Sequence, residues 1–300
     1  DRGDLRAEIL LMLLLQLLVD GILLGGTYVL LAQSLNLIFG VMGVVNLAHG
    51  SFIVLAGLFT VWFSTHSSAS PLIVLPVVFV VMFGVGAGLQ PLLLEPLVKY
   101  GRRAELLSLM VTFGLDYVLV ELALQVFGTD YVSLPYLQST WTIGAVTIGK
   151  ALFVSGACGG VLAILLHLGL NRTPLGKALL AASQSEIGAE SCGIDVRRMR
   201  LMAFAVGVGL ASVAGVLLVL VIPMAAESAD NITILAFVII ALGGLGNYVG
   251  VAIAAVLLGV AQSVAGFYLG GDAENVLPYV LLIAFMAAQP HRFQRGSLRG

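Results

Sequence analysis

Long apolar segments are the feature that most restricts how this chain can fold. A helix needs about 20 residues to cross the hydrocarbon core of a bilayer. Charged residues make up only 10% of the 300 residues, whereas soluble domains carry about 25%. The sequence therefore predicts an all-α, polytopic transmembrane bundle that forms a single transmembrane domain over residues 1–300. About eight apolar segments follow one another, at residues 9–38, 43–64, 71–94, 105–127, 150–170, 200–222, 231–263 and 275–289.

Basic residues cluster in the gaps between the apolar segments. One cluster lies in residues 99–103, a larger one in residues 172–200, and a third near the C-terminus. Short loops rich in Lys and Arg mark the cytoplasmic side of a membrane protein. These regions are therefore expected in the cytoplasm, with residues 65–70 and 264–274 outside. No basic surface is left over for nucleic acid, which is not an expected partner.

Two apolar segments are not simple crossings under this topology. Segment 231–263 would begin and end outside, and one solution has six full crossings with two broken or re-entrant segments, 43–64 and 231–263. Both are punctuated by glycine, and the triplets that contain them, 9–94 and 200–289, are candidate repeats. Paired broken helices in a membrane protein line cavities and point to a transport pathway. The predicted pathway or broken-helix residues are Asn46, His49, Gly50, Gly243, Gly244, Gly246 and Asn247.

The first break carries two polar side chains in apolar surroundings. Asn46 and His49 are three residues apart, so on a helix they would share a face, with Gly43 and Gly50 on either side. Two interpretations stay open. The pair is either a structural latch between helices or a polar site that lines the pathway.

Three acidic residues, Asp20, Asp116 and Glu121, fall within apolar segments. A charge at the bilayer centre costs at least about 2.5–3.5 kcal/mol, so these side chains should face the bundle, a cavity or the interface. Hydrogen-bonded acids that bridge helices are the favoured interpretation, because no intramembrane Lys or Arg offers a partner. A proton relay or a contact with substrate is the alternative.

Two connecting regions have character of their own. Within the basic region 171–200, "LGKALLAASQSEIGAESCG" favours a short amphipathic helix that ends at Gly193. Such a helix at the cytoplasmic face would dock a partner, and the alternative is an ordinary charged loop. Residues 128–149 alternate Thr, Val and Ile with turn residues, which predicts an external extended loop or hairpin.

No sequence motif favours an enzyme. Residues 144–151, "GAVTIGKA", have the spacing of a phosphate-binding loop, but Ala151 stands where Mg²⁺ binding needs Ser or Thr. Zinc-protease HExxH and serine-hydrolase GxSxG motifs are absent from the sequence. Cys158 and Cys192 form no metal or redox motif. We therefore expect no catalytic residue, metal or cofactor, and an intramembrane enzyme built on His49 would lack a nucleophile or metal set.

The sequence resembles the LivH-type permeases of branched-chain amino acid ABC importers along nearly its whole length. The opening of those permeases is similar to "LQLLVDGILLGGTYVLLAQSLNLIFGVMGVVNLAHGSF". Their cytoplasmic coupling segment is similar to "RTPLGKALLAASQSEIGAESCGID", and their late glycine-rich segment to "AFVIIALGGLGNYVGVAIAAVLLG". The Asn46–Gly50 stretch resembles the smaller LivH partner rather than the larger LivM partner.

The resemblance implies a permease in the bacterial cytoplasmic (inner) membrane that has no catalysis of its own. Its implied partners are a LivM-like permease, two cytoplasmic ATPase subunits, an extracytoplasmic solute-binding protein and membrane lipid. Both helix breaks would lie near the pathway. The coupling segment would sit in a groove of the ATPase and transmit its closure, with the candidate coupling residues Gly176, Glu186, Gly193, Asp195, Arg197 and Arg198.

Departures from the family leave cargo and mechanism open. Asp20 stands where the family usually has asparagine, and Asp116 and Glu121 replace residues that are more often neutral. Leu180 stands where the coupling segment often carries arginine. The expected function is ATP-driven import of branched-chain or similar small amino acids. The alternatives are a permease for urea or short amides and a proton-coupled secondary transporter.

Overall fold

Eleven helices and one β-hairpin make up the part of the chain that the computed structural model describes, residues 2–67, 70–144 and 146–288. A π-helical turn at Gln90–Leu94 and 3₁₀ turns at Glu95–Arg103 join the third helix to the fourth. The strands are β1 (Thr140–Ile143) and β2 (Val146–Gly149), which pair antiparallel. The helices are α1 (Arg2–Met42), α2 (His49–Ser67), α3 (Pro71–Leu89), α4 (Ala104–Phe127), α5 (Lys150–Arg172), α6 (Pro174–Gln184), α7 (Glu186–Ser191), α8 (Val196–Leu218), α9 (Ser228–Gly243), α10 (Tyr248–Leu269) and α11 (Gly271–Ala288).

Seven of the described helices are long and apolar enough to cross a membrane: α1, α2, α3, α4, α5, α8 and α10. α9 and the apolar part of α11, Val276–Phe285, are shorter. The predicted all-α polytopic bundle is confirmed. The seven helices include α2 and α10, which lie in the two segments that were predicted to be broken or re-entrant.

The bundle has two distinct ends. One, the hairpin end, carries β1 and β2, which α1 holds through two hydrogen bonds: Gln16 Nε2 donates to the Thr147 oxygen at 2.7 Å, and the Thr147 nitrogen donates to Gln16 Oε1 at 2.8 Å. An isolated antiparallel β-bridge between Val132 and Met224 joins the segment that follows α8 to this end of the bundle. The other, the basic end, carries α6, α7 and the 3₁₀ turns. A hairpin within residues 128–149 is as predicted.

The two broken segments differ from each other in detail. Segment 231–263 consists of two helices, α9 and α10, which residues 244–247 connect, so it is not one plain crossing. The other break is confined to residues 43–48, where Gly43 has a φ of +62°. There Leu47 N donates to Thr112 Oγ1 at 3.2 Å, and Thr112 Oγ1 donates to the Val45 oxygen at 3.3 Å. Asn46 therefore lies outside α2, and the shared face that it would have with His49 on a continuous helix does not form.

Helix packing follows a two-fold pattern. α1 packs along α10 and α3 along α8, while α2 contacts α9, and α1 contacts α8. Exchanging α1 with α8, α2 with α9 and α3 with α10 converts every one of these pairs into a pair of the same set. α1 and α3 run towards the basic end, whereas α8 and α10 run away from it. This is the packing expected of inverted repeats, and it matches the candidate repeats 9–94 and 200–289.

The core is centred on α8, which is buried along most of its length. Phe52 and Phe204 are fully buried there. α2 approaches α8 so closely that a Cβ at Gly215 would overlap the Ile53 backbone. Glycine at this crossing brings the two backbones together, as small residues do at interfaces between membrane helices. The start of α2 is therefore held in the middle of the bundle.

Candidate transport pathway and coupling site

His49 begins α2 deep within the protein. Its side chain is fully buried, and its Nε2 lies 3.1 Å from the Leu31 oxygen and 3.3 Å from Ser34 Oγ. The carbonyl oxygen can only accept, so Nε2 carries the proton of that bond. Leu31 precedes the end of α1 by 11 residues, which is about 16 Å along a helix. Residues 43–48 therefore lead the chain back from the basic end into the interior.

Asn46 lies in the middle of this break and is also fully buried. Within the described part of the chain, neither its Oδ1 nor its Nδ2 has a hydrogen-bond partner. A buried polar group without a partner costs about 1–3 kcal/mol. At the first break, His49 is therefore hydrogen-bonded to α1, whereas neither amide atom of Asn46 has a hydrogen-bond partner in the described part of the chain.

The N-terminal ends of α2 and α9 meet at the first break. Gly50 N donates to Thr233 Oγ1 at 2.8 Å, and Thr233 Oγ1 is 3.3 Å from the Leu47 oxygen, to which it donates. A Cβ at Gly50 would overlap the Ala229 oxygen. Helix N-termini carry partial positive charge. Two such ends converging inside a membrane protein is the arrangement found at midplane sites of transporters.

The second break, residues 244–247, turns α9 into α10. Gly244 and Gly246 have φ values of +91° and +77°, which favour glycine. Asn247 caps α10, because its Oδ1 accepts from Gly250 N at 3.0 Å. Gly243 lies so close to Val251 that a Cβ would overlap it. Each predicted residue of this break thus has a defined structural part in the turn.

One stretch of α1 holds both breaks, and the sequence reasoning missed it. Ser34 contacts His49 of the first break, while Asn36 Oδ1 accepts from Gly246 N of the second at 2.8 Å. Gln33 Nε2 donates to the Tyr248 oxygen at 3.2 Å. The three side chains are almost completely buried. The available signal was the run "AQSLN" at residues 32–36, three polar residues within an otherwise apolar helix.

The three intramembrane acids do not form one site. Asp116 is buried on α4, where Ser51 of α2 donates a hydrogen bond to it and Asp230 of α9 lies beside it. Asp20 accepts from Gln16, one turn earlier on α1, at 2.7 Å. Glu121 is exposed and accepts from Gln125 at 3.1 Å. Asp116 is thus the acid whose hydrogen bond joins two helices, next to the converging ends of α2 and α9.

Two capped helices at the basic end form the predicted coupling segment. Thr173 Oγ1 accepts from Gly176 N at the start of α6, and Ser185 Oγ accepts from Gly188 N at the start of α7, both at 3.0 Å. The segment is therefore two short helices, because Ser185 is extended and begins a new one. Gly193 follows α7 with a φ of +79°.

Close packing and capping fix both ends of this segment. A Cβ at Gly176 would overlap the Gly169 oxygen of α5, so α6 lies directly against the preceding helix. Asp195 caps α8 by accepting from Arg198 N at 3.1 Å, and it also pairs with Arg198 Nε at 2.9 Å. Both side chains of that pair are exposed, and Arg197 is exposed as well.

A buried ion-pair network attaches the coupling segment to the bundle. Arg200 of α8 donates through Nη2 to Glu95 Oε1 at 2.9 Å and through Nε to Glu95 Oε2 at 3.3 Å. Its Nη1 donates to Glu186 Oε1 of α7 at 3.1 Å. Gln90 Nε2 donates to Glu95 Oε2 at 2.7 Å. The sequence analysis missed the network of Arg200, Glu95 and Gln90. A basic residue in a charged loop gives no indication in the sequence that it is buried, and nothing local shows that Arg200 meets Glu95.

Both cysteines are free, and Cys192 is exposed at the basic end. In the described part of the chain, no group of three or more His, Cys, Asp or Glu side chains could hold a metal ion. The stretch with phosphate-loop spacing contributes strand β2 and the first residues of α5. Hydrogen bonding, helix ends and apolar packing are therefore the chemistry that this site offers.

Comparison with known proteins places the chain in a family. Residues 17–286 match the family described as the permease component of branched-chain amino acid transport systems. The chain is 26% identical to the high-affinity branched-chain amino acid transport permease LivH of Escherichia coli K12, over 92% of this chain and 94% of the relative. It is 28% identical to a probable LivH of Methanocaldococcus jannaschii, over 92% and 90% of the two chains.

A shorter match relates the chain to a second type of permease. It is 36% identical over 106 residues to the permease LivM of Escherichia coli K12, which is 34% of this chain and 24% of that relative. No solved structure gave a significant match. Because the family match covers most of the chain, this protein belongs to the permease-component family of branched-chain amino acid transport systems.

Proposed function

We propose that this chain is the transmembrane permease subunit of an ATP-driven importer of branched-chain or similar small amino acids. The cargo follows the names of the LivH relatives. The observation that carries the ATP-driven part is the geometry of the basic end. There, α7 presents Ile187 with 80% of its surface exposed, while Arg200 holds the same helix to α8 and to Glu95. An exposed apolar side chain on a firmly held helix suits docking into a groove of a partner.

The proposed assembly follows from the two ends of the bundle. The basic end faces the bacterial cytoplasm and binds two ATPase subunits through α6 and α7. The hairpin end faces outward and receives an extracytoplasmic solute-binding protein. A LivM-like permease completes the pathway, and lipid surrounds the rest. The chain itself supplies no catalytic residue and needs no cofactor.

The movement caused by closure of the ATPases would pass from α7 to the two helix breaks. Closure of the ATPases moves α7, and Glu186, Arg200 and Glu95 carry that movement to α8 and to the 3₁₀ turns that join α3 to α4. α8 packs against α1, and α1 residues 31–36 hold both breaks. Asn46, whose two amide atoms are buried without a hydrogen-bond partner among the described residues, can take up a new partner when the break moves.

Purification of the tagged chain from its native membrane tests the docking role. We expect an ATPase to copurify with the wild-type chain and to be lost from Ile187→Asp, which places a charge at the apolar contact. Ser133→Asp is the matched control, because it adds the same charge at an exposed position next to the hairpin end, and it should retain the ATPase. Equal retention by both variants would contradict the proposal.

One observation favours a second candidate, a proton-coupled secondary transporter. Asp116 is a buried acid next to the ends of α2 and α9, where it accepts a hydrogen bond from Ser51, and Asp230 of α9 lies within electrostatic range of it. For this candidate, liposomes that contain the chain alone should take up solute under a pH gradient, and Asp116→Asn should abolish that uptake. The ATP-driven mechanism predicts no uptake by the chain alone.

A further inference from the structure

A cavity of about 550 Å³ lies among α1, α9, α10 and α11, towards the hairpin end. Tyr131 and the segment 222–224, which adjoin the hairpin end, form part of its wall. Asn46 and His49 do not line it. Binding sites for small molecules usually have volumes of about 300–1,000 Å³. The cavity is therefore large enough for a small solute, and it is separate from the helix breaks.

One wall of the cavity offers hydrogen-bond acceptors. Gln262 of α10 donates through Nε2 to the main-chain carbonyl oxygen of Glu274 at 3.0 Å. That oxygen can only accept, so the bond fixes the amide and leaves Gln262 Oε1 as an acceptor. Among the described residues, this buried Oε1 has no partner. Tyr28 of α1 also lines the cavity, and Glu274 lies within electrostatic range of it.

The first turn of α9 forms the opposite side of the cavity. Ser228 and Asn231 line the cavity there, and Tyr279 of α11 donates to Asn231 Oδ1 at 3.0 Å. The N-terminal turn of a helix favours a negative group. Asp230 of the same turn interacts with Asp116 and is not among the residues that line the cavity. A carboxylate would therefore be stabilised next to Ser228 and Asn231.

The lining as a whole carries no charged side chain. None of its fourteen described residues is Asp, Glu, Lys, Arg or His. No lining residue offers a counter-ion to a solute with net charge, and such a solute would lose hydration here. A zwitterion suits both polar walls, and Ile232, Leu235 and Val276 supply apolar surface for an aliphatic group.

We propose that this cavity binds a net-neutral aliphatic amino acid. Its carboxylate lies against the first turn of α9, its ammonium group faces Tyr28 and Gln262, and its side chain packs on Ile232 and Leu235. This inference rests on the proposed function, since it places a binding site for the same class of cargo within this chain.

Cysteine protection tests the site directly. The probe is L-leucine, added to the full chain in lipid nanodiscs, with Cys192→Ala and Ser228→Cys in place. Leucine should slow the reaction of Ser228→Cys with a water-soluble maleimide severalfold, whereas L-lysine and L-glutamate should not. Ser133→Cys, which is exposed outside the cavity, should react at the same rate with and without leucine. No protection by leucine, or equal protection by the charged amino acids, would overturn the proposal.

A filling variant gives a second, independent readout in the complete transporter. Ile232→Trp should reduce leucine uptake severalfold by occupying the cavity, whereas Ile234→Trp, on the same helix but not in the lining, should leave it unchanged. If ATP-driven leucine uptake exists but Ile232→Trp leaves it intact, the cavity is not the site and the proposed function stands. If leucine protects Ser228→Cys while ATP drives no uptake, the site stands and the proposed function fails.

Discussion

Replacing Arg200 with Met should destabilise the chain by about 3 kcal/mol. The Arg200 side chain is 9% exposed and that of Glu95 is 14% exposed. Removing one partner of a buried ion pair costs about 3–5 kcal/mol, because the other charge stays buried without compensation. Glu95 would keep its hydrogen bond from Gln90 at 2.7 Å and Arg197 at 3.8 Å, so we expect the low end of that range.

Thermal unfolding of the purified chain in detergent, followed by tryptophan fluorescence, measures this loss. For a chain of this size, about 2 °C of Tm per kcal/mol gives a decrease of about 6 °C. The matched control is Arg198→Met, whose partner Asp195 is 50% exposed; exposed pairs contribute less than about 1 kcal/mol. The double variant Arg200→Met with Glu95→Met should be more stable than Arg200→Met alone, because no unpaired charge remains. Equal Tm shifts for Arg200→Met and Arg198→Met would refute the reasoning.

Three further predictions concern the centre of the bundle and its basic end. Gly50→Ala should reduce the yield of folded protein, with an overpacking cost on the order of 1–3 kcal/mol, while Gly84→Ala, where a Cβ meets open space, should not; equal yields would contradict the packing. Reversing Arg197 and Arg198 to Glu should lower ATP-driven uptake while membrane insertion stays normal, because both side chains are exposed; unchanged uptake would contradict the coupling role. A membrane-impermeant maleimide should label Cys192 in inside-out vesicles only, and labelling of intact cells would reverse the assignment of sides.

Sequence alone predicted the elements that depend on composition and spacing. Apolar length predicted the bundle, charge parity showed that segment 231–263 is not a single crossing, and glycine spacing located both breaks. It did not show that Asn46 lies outside the helix that begins at His49, because nothing local indicates that Thr112, 66 positions beyond Asn46, bonds the backbone of Val45 and Leu47.

Long-range pairing also explains the other residues that were missed. Arg200 is one of several arginines in a basic stretch, and only the fold brings it to Glu95, 105 positions away. Asn36 likewise meets Gly246 from 210 positions away. Contacts at such separations depend on how α1, α3 and α8 pack, which the pattern of a single segment does not contain.

ATP dependence of solute accumulation tests the central claim most directly. L-leucine uptake would be measured in proteoliposomes that hold the chain with its copurifying subunits, with an ionophore present to abolish any pH gradient. We predict uptake that requires ATP and persists without the gradient. Leucine accumulation by the chain alone, driven by a pH gradient and indifferent to ATP, would contradict the account.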